Sequence, residues 1–385
     1  MKSQSTIILT LVSISFSLIT TGIISVALPL YLDYLGITLV GIGFIFSLAP
    51  VIGMIAKSVV AVHSDVVGRK GYFSLGFLLR SVSSCFYSIC TIPVGFAILK
   101  TLDSLSQHFR NAVEMPLLVD ISPKEKLGRI LGVYWTILSV ATAVGMFISG
   151  AILLLIGYFW LFMLCSLISL FGLLLVQIAG IPTFITKNVH LNIKKTFNFK
   201  ELEWNLKMSF LSGFLGYFGY SLVESFAFPL FLQQEFRADP ILIGMAIGLG
   251  WVTSGVPAIL WNKMTETHSP VNLYFLGCGV TGATTLLMNI APDLTTTVCL
   301  YMAGGFFWGF AGPAGMKVLA DSAKSADRAR DINLSRLGNG IGIMIGSAGS
   351  GIIAQTAGFR FLFIISGTFY LASALTFFWA IRGYK

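Results

Sequence analysis

The chain contains the stretch ISVALPLYL at residues 24–32 and a near copy, ESFAFPLFL, at residues 224–232. Serine, alanine, proline and two leucines fall in matching places, and Glu224 in the second copy stands where Ile24 stands in the first. A carboxylate inside an otherwise apolar run is costly to leave without a purpose. The pair therefore predicts a duplicated chain in which the second copy carries an added acid.

Composition predicts that both copies lie in membrane helices. Hydrophobic residues make up 56% of the chain and charged residues only 11%, with a mean hydropathy of +0.86. This is too little polar surface to cover a soluble globule of 385 residues. A helix needs about 20 apolar residues to cross a bilayer. About twelve runs of that length follow one another, near residues 7–30, 38–61, 72–91, 94–119, 129–154, 158–180, 207–232, 241–262, 271–290, 295–319, 331–355 and 359–382.

The repeat continues through the chain at a nearly constant offset of 200 to 201 residues. Near the end of the fourth run, LVD at 118–120 matches LAD at 319–321. In the fifth and eleventh runs, small residues spaced by four also correspond, which lets helices approach closely. These small residues are Ala141, Gly145 and Ser149 in the first copy and Gly342, Gly346 and Ser350 in the second, and Gly150 likewise matches Gly351.

The duplication predicts an all-α integral membrane protein with two pseudo-symmetric six-helix bundles in parallel repeat. We expect the first bundle over residues 1–181 and the second over residues 207–385. Residues 182–206, with five lysines between 182 and 207 and no long apolar run, are predicted to form a cytoplasmic linker. We expect a solute site near the middle of the membrane, where the bundles face each other.

The distribution of basic residues predicts the orientation in the membrane. With the N terminus inside, 20 of the 25 lysines and arginines lie in or beside cytoplasmic segments. Only Arg237 and Arg360 then lie outside, and Arg80, Lys100 and Arg110 lie within spans. Both termini are therefore expected to be cytoplasmic. The net charge of +9 reflects basic loops that face anionic lipid, and it needs no nucleic-acid partner.

The loop between the second and third runs reads AVHSDVVGRK, residues 61–70. It resembles the signature of the major facilitator superfamily, although Ala61 and Val66 stand where the family usually has Gly and Arg. The residues that match it are Asp65, Gly68, Arg69 and Lys70. Gly68 allows a tight turn, and the charged residues can make charge-assisted contacts at the cytoplasmic bundle interface. The resemblance implies a monomeric transporter, in which two bundles alternately open a central site to either side of the membrane, and no cofactor.

Two further motifs of this family have partial counterparts. The antiporter pattern of the fifth helix, G-x8-G-x3-G-P-x2-G-G, is matched in spacing, with three of its residues replaced. Its positions are Gly132, Ala141, Gly145, Met146, Ser149 and Gly150. The sequence KTLDS at 100–104 stands where the family often has Arg-x-x-Gln-Gly, a motif proposed to help proton transfer. By resemblance, these motifs favour proton-coupled antiport, but plain helix packing by small residues explains the fifth-helix pattern equally well.

The fourth run carries a polar stripe down one helical face. Residues three or four positions apart lie on the same face of a helix. The polar residues at this spacing are Lys100, Asp103, Gln107, Arg110 and Glu114. Such a stripe in a membrane helix must face protein or water rather than lipid. Two interpretations stay open: a cavity wall that binds a polar solute and carries a proton, or an internal ladder of salt bridges that fixes helix packing. In either case, Lys100 can reach Asp103, and Arg110 can reach Glu114.

Glu224 is the main candidate for proton coupling, or for binding a cationic group. The same helical face gathers polar and aromatic neighbours, namely Tyr217, Tyr220, Ser221 and Phe228. The competing interpretation makes Glu224 a structural partner of Arg80 or Arg110. Three roles stay open for Trp308 with Gly304 and Gly305, and for Trp251 with Pro257: the opposite wall of the cavity, a hinge, or core packing.

Enzymatic interpretations find little support in the sequence. There is no phosphate-binding GxxxxGK[ST] motif and no cluster of metal ligands. Asp103 and Glu114 are eleven residues apart, which is roughly 16 Å along a helix and too far for a two-carboxylate mechanism. We therefore expect a proton-coupled secondary transporter that exports a drug or metabolite. Uptake of a sugar or organic ion, by symport or facilitated diffusion, stays open, as does a non-transporting sensor on a transporter fold.

Overall fold

In the computed structural model of this chain, the described residues are 2–123, 126–181, 199, 202–323 and 328–381. Within these ranges the chain is helical and contains no strand. The first half forms α1 (Lys2–Tyr34), α2 (Leu39–Val67), α3 (Arg69–Tyr87), α4 (Pro93–Ile121) and α5 (Leu127–Ile178). The second half forms α6 (Trp204–Glu224), α7 (Ala227–Phe236), α8 (Pro240–Thr267), α9 (Pro270–Met288), α10 (Leu294–Ser322), α11 (Arg328–Ala357) and α12 (Phe359–Ala380).

Nine helical stretches of the described residues are long and apolar enough to cross a membrane. One of them lies in α5, whose 52 residues exceed twice the length of a single span of about 20 residues. The helices α3 and α4 fall outside the nine because they carry charged residues, including Arg80 on α3 and Asp103 on α4. With α5 counted twice and these two charged helices included, the prediction of twelve spans is confirmed.

Two glycines confirm the repeat at the level of backbone conformation. Gly157 interrupts α5 with φ 74° and ψ 176°, and Gly358, 201 residues later, separates α11 from α12 with φ 85° and ψ 164°. Residues with a Cβ rarely adopt this region. The ends of α3 and α4 also recur 201 residues later, as the ends of α9 and α10.

The seventh predicted run, residues 207–232, is divided into α6 and α7. Helix α6 ends at Glu224, and Phe226 has φ −161° before α7 begins at Ala227. Pro229 lacks an N–H group and its ring disfavours a helical carbonyl four residues earlier, at Ser225. In the first copy, by contrast, α1 continues through Pro29. The hydroxyl of Ser225 lies 2.7 Å from that of Ser347 on α11, a contact that stabilises the break.

The chain divides into two compact units. Their ranges are Met1–Ile37, Leu48–Leu191 and Asp239–Gly248 in the first, and Thr38–Ser47, Asn192–Ala238 and Leu249–Lys385 in the second. In the first unit, α1 packs along α5, and α3 packs on α4 and α5. In the second unit, α6 packs along α11, and α9 packs on α10 and α12. The predicted bundle boundaries stay a prediction. Of the predicted linker, residues 182–198 and 200–201 lie outside the described residues.

Candidate functional site

A cavity of about 360 Å³ lies inside the second unit. Six helices of that unit contribute to its wall. The main lining residues are Tyr217, Tyr220 and Glu224 on α6, Trp251 and Ser254 on α8, Thr281, Thr284 and Thr285 on α9, Tyr301, Gly304, Gly305 and Trp308 on α10, Ile343 on α11, and Ser366 and Tyr370 on α12. Its size is at the lower end of the range of about 300–1,000 Å³ that is usual for small-molecule pockets.

Glu224 is the one charged side chain among the described residues that line this cavity. It is the last residue of α6, so its carboxylate lies beside the carbonyl end of a broken helix, where the helix dipole is negative. Its Oε2 atom accepts a hydrogen bond of 2.9 Å from the Tyr301 hydroxyl. No lysine or arginine of the described ranges forms an ion pair with it.

Aromatic rings surround the cavity beside this carboxylate. Trp308 has its ring centroid 5.7 Å from that of Tyr217, 6.1 Å from that of Tyr220 and 5.3 Å from that of Tyr370. The rings of Trp308 and Tyr220 are nearly parallel, at 17°. Tyr301, which donates to Glu224, also stacks on Phe228, with ring centroids 4.2 Å apart. The wall therefore presents several aromatic faces near one acid.

The glycine pair of α10 makes room for this arrangement. A Cβ atom on Gly305 would lie 2.8 Å from the backbone oxygen of Gly250, and one on Gly304 would lie 2.7 Å from the Thr284 hydroxyl oxygen. Real Cβ atoms do not approach this closely. Gly304 and Gly305 thus bring α10 against α8 and α9, and Trp308 follows one turn later on the cavity wall.

The first unit holds a different arrangement, a buried network of charged residues. The Arg80 guanidinium on α3 pairs with Asp103 on α4 and donates a hydrogen bond of 3.0 Å to the Thr21 hydroxyl on α1. The second oxygen of Asp103 lies 3.3 Å from the Lys100 ammonium. Arg80 is 1% exposed and Asp103 is 3% exposed. These residues therefore bind three helices of the first unit together.

A second buried pair lies further along α4. Arg110 and Glu114 are 3.4 Å apart, and the hydroxyl of Tyr134 donates to Glu114 at 3.2 Å. The guanidinium carbon of Arg110 lies 5.4 Å from the centroid of the Phe77 ring, at a distance suitable for a cation–π contact. The predicted pairings of Lys100 with Asp103 and of Arg110 with Glu114 are thus confirmed, and Gln107 between them is partly buried.

The two arginines expected as partners of Glu224 pair with other acids. Arg80 pairs with Asp103 and Arg110 pairs with Glu114, all in the first unit. The partner observed for Glu224 is Tyr301. Of the neighbours expected on its helical face, Tyr217 and Tyr220 line the cavity. The Ser221 hydroxyl instead donates a hydrogen bond of 3.3 Å to the Gly342 carbonyl oxygen of α11.

Sequence reasoning did not single out Tyr301 and Tyr370. The repeat contains a signal that would have found Tyr301, since an offset of 201 carries Lys100, Asp103 and Gln107 of α4 onto Tyr301, Gly304 and Trp308 of α10. All three positions of α10 line the cavity. The same offset carries Arg80 onto Thr281, whose hydroxyl donates to the Gly304 carbonyl at 2.9 Å. Tyr370 has no such signal.

The loop motif at residues 65–70 is organised by one arginine. Gly68 connects α2 to α3 with φ 105°, a conformation that glycine permits. Arg69 then donates to Asp65 at 2.7 Å and to the Pro116 carbonyl at 3.1 Å, and it pairs with Asp120 at the end of α4. Lys70, in the first turn of α3, is partly buried. Within the first unit, Arg69 thus joins the neighbouring ends of α2 and α4.

The small residues of α5 and α11 lie at close helix contacts. A Cβ atom on Gly145 would overlap the Ile19 carbonyl oxygen of α1, and one on Gly150 would overlap the Pro240 carbonyl oxygen. In the second unit, Gly342 and Gly346 lie against α6 in the same way, at Phe214 and Phe218. One serine on each of these helices makes a matching hydrogen bond to a backbone carbonyl of the neighbouring helix. The Ser149 hydroxyl donates to Ile23 at 3.1 Å, and the Ser350 hydroxyl donates to Leu222 at 2.6 Å.

Comparison with protein families matches residues 10–193 and 209–385 to the Major Facilitator Superfamily. An uncharacterised MFS-type transporter of Methanocaldococcus jannaschii is 21% identical over 363 residues, covering 91% of this chain and 89% of the relative. The staphyloferrin B transporter of Staphylococcus aureus is 22% identical over 341 residues, covering 86% of this chain and 81% of the relative.

A shorter match and a solved structure add to this comparison. The quinolone resistance protein NorB of Staphylococcus aureus is 31% identical over 134 residues, which cover 34% of this chain and 27% of NorB. The crystal structure of the nucleoside transporter NupG superposes with a TM-score of 0.81 over 98% of this chain and 100% of NupG, at 12% identity. At that identity the likeness to NupG shows a shared fold.

Proposed function

The chain belongs to the Major Facilitator Superfamily, and from this membership we propose that it is a secondary active transporter that exchanges a small organic solute for protons. The fold and family are those of transporters and not of enzymes. The protein therefore has to bind and release the solute and to couple its movement to that of protons. Alternating access between two membrane-embedded bundles supplies the movement, and the proton gradient supplies the energy.

The observation that carries this proposal is the state of Glu224. It is an acid inside the membrane that lines a cavity, and a tyrosine hydroxyl, rather than a lysine or arginine, is its observed partner. A permanent cation beside it would hold the carboxylate charged. Without one, Glu224 can take up a proton in one state and release it in another, which is the property that coupling requires.

The polar face of α4 is proposed as the pathway wall of the first unit. Lys100 and Gln107 occupy positions that the repeat relates to the cavity residues Tyr301 and Trp308. Two buried ion pairs, Arg80 with Asp103 and Arg110 with Glu114, then act mainly in support, because they are nearly inaccessible to solvent. Proton exchange is assigned to Glu224 and not to these paired groups.

Export is the proposed direction of solute movement. One relative is named for quinolone resistance, and a transporter that confers resistance lowers the concentration of the drug inside the cell. The predicted orientation, with both termini cytoplasmic, makes protons entering from outside the driving ion. The solute would then leave as protons enter.

Inverted membrane vesicles loaded with a pH-sensitive dye test the proposal. After an acidic lumen has been established, each of four compounds is added: ethidium, norfloxacin, p-aminohippurate and uridine. We expect at least one compound to release protons from vesicles that contain the native protein and none to do so after Glu224→Gln. Protons that move together with the solute, rather than against it, would identify uptake by symport instead.

Glu235→Gln is the matched control. Glu235 is an acid at the far end of α7, 3.8 Å from Arg360 and outside the cavity lining. This variant should retain the proton signal of the native protein. If solute moves at equal rates with and without a proton gradient, in the native protein and in Glu224→Gln alike, then the protein is a facilitator and the coupling proposal is wrong.

A further inference from the structure

We infer that the cavity of the second unit binds a monovalent organic cation, with its charged centre against Glu224 and its apolar groups on the rings of Trp308, Tyr217 and Tyr220. This inference rests on the proposed function in one respect only, since it takes this cavity as the solute site. It adds the chemical class of the solute, which neither the family nor the named relatives supply.

Charge is the first argument for a cation. Glu224 is the single charged side chain in the described lining, and it lies at the carbonyl end of α6, where the helix dipole adds negative potential. An anion would meet this carboxylate with no described lysine or arginine of the lining to offset it. One carboxylate matches one positive charge, and so the preferred solute is monovalent.

The aromatic wall is the second argument. The faces of tryptophan and tyrosine rings carry negative electrostatic potential and attract cations, most strongly when the cation is desolvated. Trp308 is close to three tyrosines, with ring centroids 5.3 to 6.1 Å apart. Alkyl or aryl groups around a charged nitrogen or phosphorus also gain apolar contact with such rings. A strongly hydrated metal ion would gain little from this surface.

The hydroxyl groups of the wall supply the third argument. The Thr285 hydroxyl donates its hydrogen to the Thr281 carbonyl at 2.7 Å, the Ser254 hydroxyl donates to the Trp251 carbonyl at 2.8 Å, and the Ser366 hydroxyl donates to the Gly219 carbonyl at 2.7 Å. Each hydroxyl has a single hydrogen to donate. At these three hydroxyls, what remains for a solute is an oxygen lone pair, which accepts hydrogen bonds and attracts positive charge.

Binding of two probes with the same shape and opposite charge tests the inference on the native protein. Tetraphenylphosphonium and tetraphenylborate are titrated into the purified full-length chain in detergent, and the heat of binding is measured. Benzyltrimethylammonium is added as a smaller cation. We expect saturable binding of at least one cation, with an affinity about tenfold or more above that of tetraphenylborate. Equal binding of tetraphenylborate, or failure of both cations to bind, would overturn the inference.

Variants then locate the cation. Glu224→Gln keeps the shape of the side chain and removes its charge, and we expect the affinity for the bound cation to fall about tenfold or more. Trp308→Leu should also weaken binding, whereas Trp308→Phe, which keeps a ring, should weaken it less. Glu235→Gln should leave it unchanged. Native affinity in both Glu224→Gln and Trp308→Leu would place the cation elsewhere and would contradict the inference.

The two proposals fail in different ways because binding needs no proton gradient. If uridine or p-aminohippurate drives proton movement that depends on Glu224 while neither cation binds, the transport proposal stands and the cation inference is wrong. If a cation binds in a Glu224-dependent manner and no compound moves protons, the cation inference stands and proton coupling is wrong.

Discussion

Glu224 and Asp103 are both carboxylates within membrane helices, but they have different neighbours. Asp103 pairs with Arg80 and Lys100, whereas Glu224 accepts a hydrogen bond from Tyr301 and lines a cavity. A carboxylate held between two cations is part of the scaffold, because its loss leaves buried positive charge. A carboxylate held by a hydroxyl can lose its charge at less cost to the fold.

The first prediction is that Asp103→Asn destabilises the protein far more than it alters coupling. The substitution leaves the guanidinium of Arg80, which is 1% exposed, without its carboxylate. Breaking a buried pair by removing one partner costs about 3–5 kcal/mol. We expect a large fall in the melting temperature of the purified protein in detergent.

The control for this prediction is Glu235→Gln at the end of α7. Glu235 lies 3.8 Å from Arg360, and the two side chains are 40% and 38% exposed. Exposed ion pairs contribute about 0–1 kcal/mol, so this variant should melt close to the native protein. Equal melting temperatures for Asp103→Asn and Glu235→Gln would show that the Arg80 network does not stabilise the first unit.

At the scale of the helices, close contacts depend on single glycines. The second prediction concerns Gly145→Ala on α5, whose new methyl group would overlap the backbone of Ile19 on α1. A backbone cannot move aside as a flexible side chain can. Overpacking of this kind costs typically about 1–3 kcal/mol, and we expect a lower melting temperature.

Gly132, on the same helix, has no heavy atom within 4 Å of the position of a Cβ. Gly132→Ala should therefore be neutral or stabilising, because alanine favours a helix by up to about 1 kcal/mol over glycine. The two substitutions are chemically identical, so opposite signs would isolate the effect of the contact. A fall of the same size in both would show that the contact with Ile19 is not what destabilises Gly145→Ala.

The third prediction concerns the helix break at Gly157. With φ 74° and ψ 176°, and no atom within 4 Å of a Cβ position, Gly157→Ala meets conformational strain without a steric clash. Backbone conformations of this kind cost of order 1–3 kcal/mol for other residues. Gly358→Ala, at φ 85° with open space around it, should lower the melting temperature similarly. A clear difference between the two would mean that the repeats differ in how they tolerate the break.

The same elements show what the sequence could and could not predict. Twelve apolar runs and the repeat follow from composition and local matches, so most helices were predictable within a few residues. The break after Glu224 was not, because residues 24–32 carry proline at the matching position and yet lie in one continuous helix. The partner of Glu224 was missed because Tyr301 is 77 residues away, and helix periodicity relates only residues on one helix.

For the whole molecule, the distribution of basic residues is the property that predicts the orientation in the membrane. With the N terminus inside, 20 of the 25 lysines and arginines are predicted to lie in or beside cytoplasmic segments. Basic residues in short loops stay on the cytoplasmic side during insertion. If this holds, the ion-pair network of residues 65–70 faces the cytoplasm, and Glu224, in the far half of its span, is closer to the outside. Protons would then reach Glu224 from the side where they are more abundant.

The last prediction places the two ends of α9 on opposite sides of the membrane. In a variant whose five cysteines are replaced by serine or alanine, single cysteines are introduced by His268→Cys, before α9, and Ile290→Cys, after it. Both positions are exposed. We expect a membrane-impermeant maleimide to label Ile290→Cys in intact cells and His268→Cys only after the cells are permeabilised. Retained transport by both variants is the control.

The opposite labelling pattern would mean that the basic loops face outward, and Glu224 would then be nearer the cytoplasm. An inward proton gradient would have to reach it from the far side, and the export direction proposed here would be wrong.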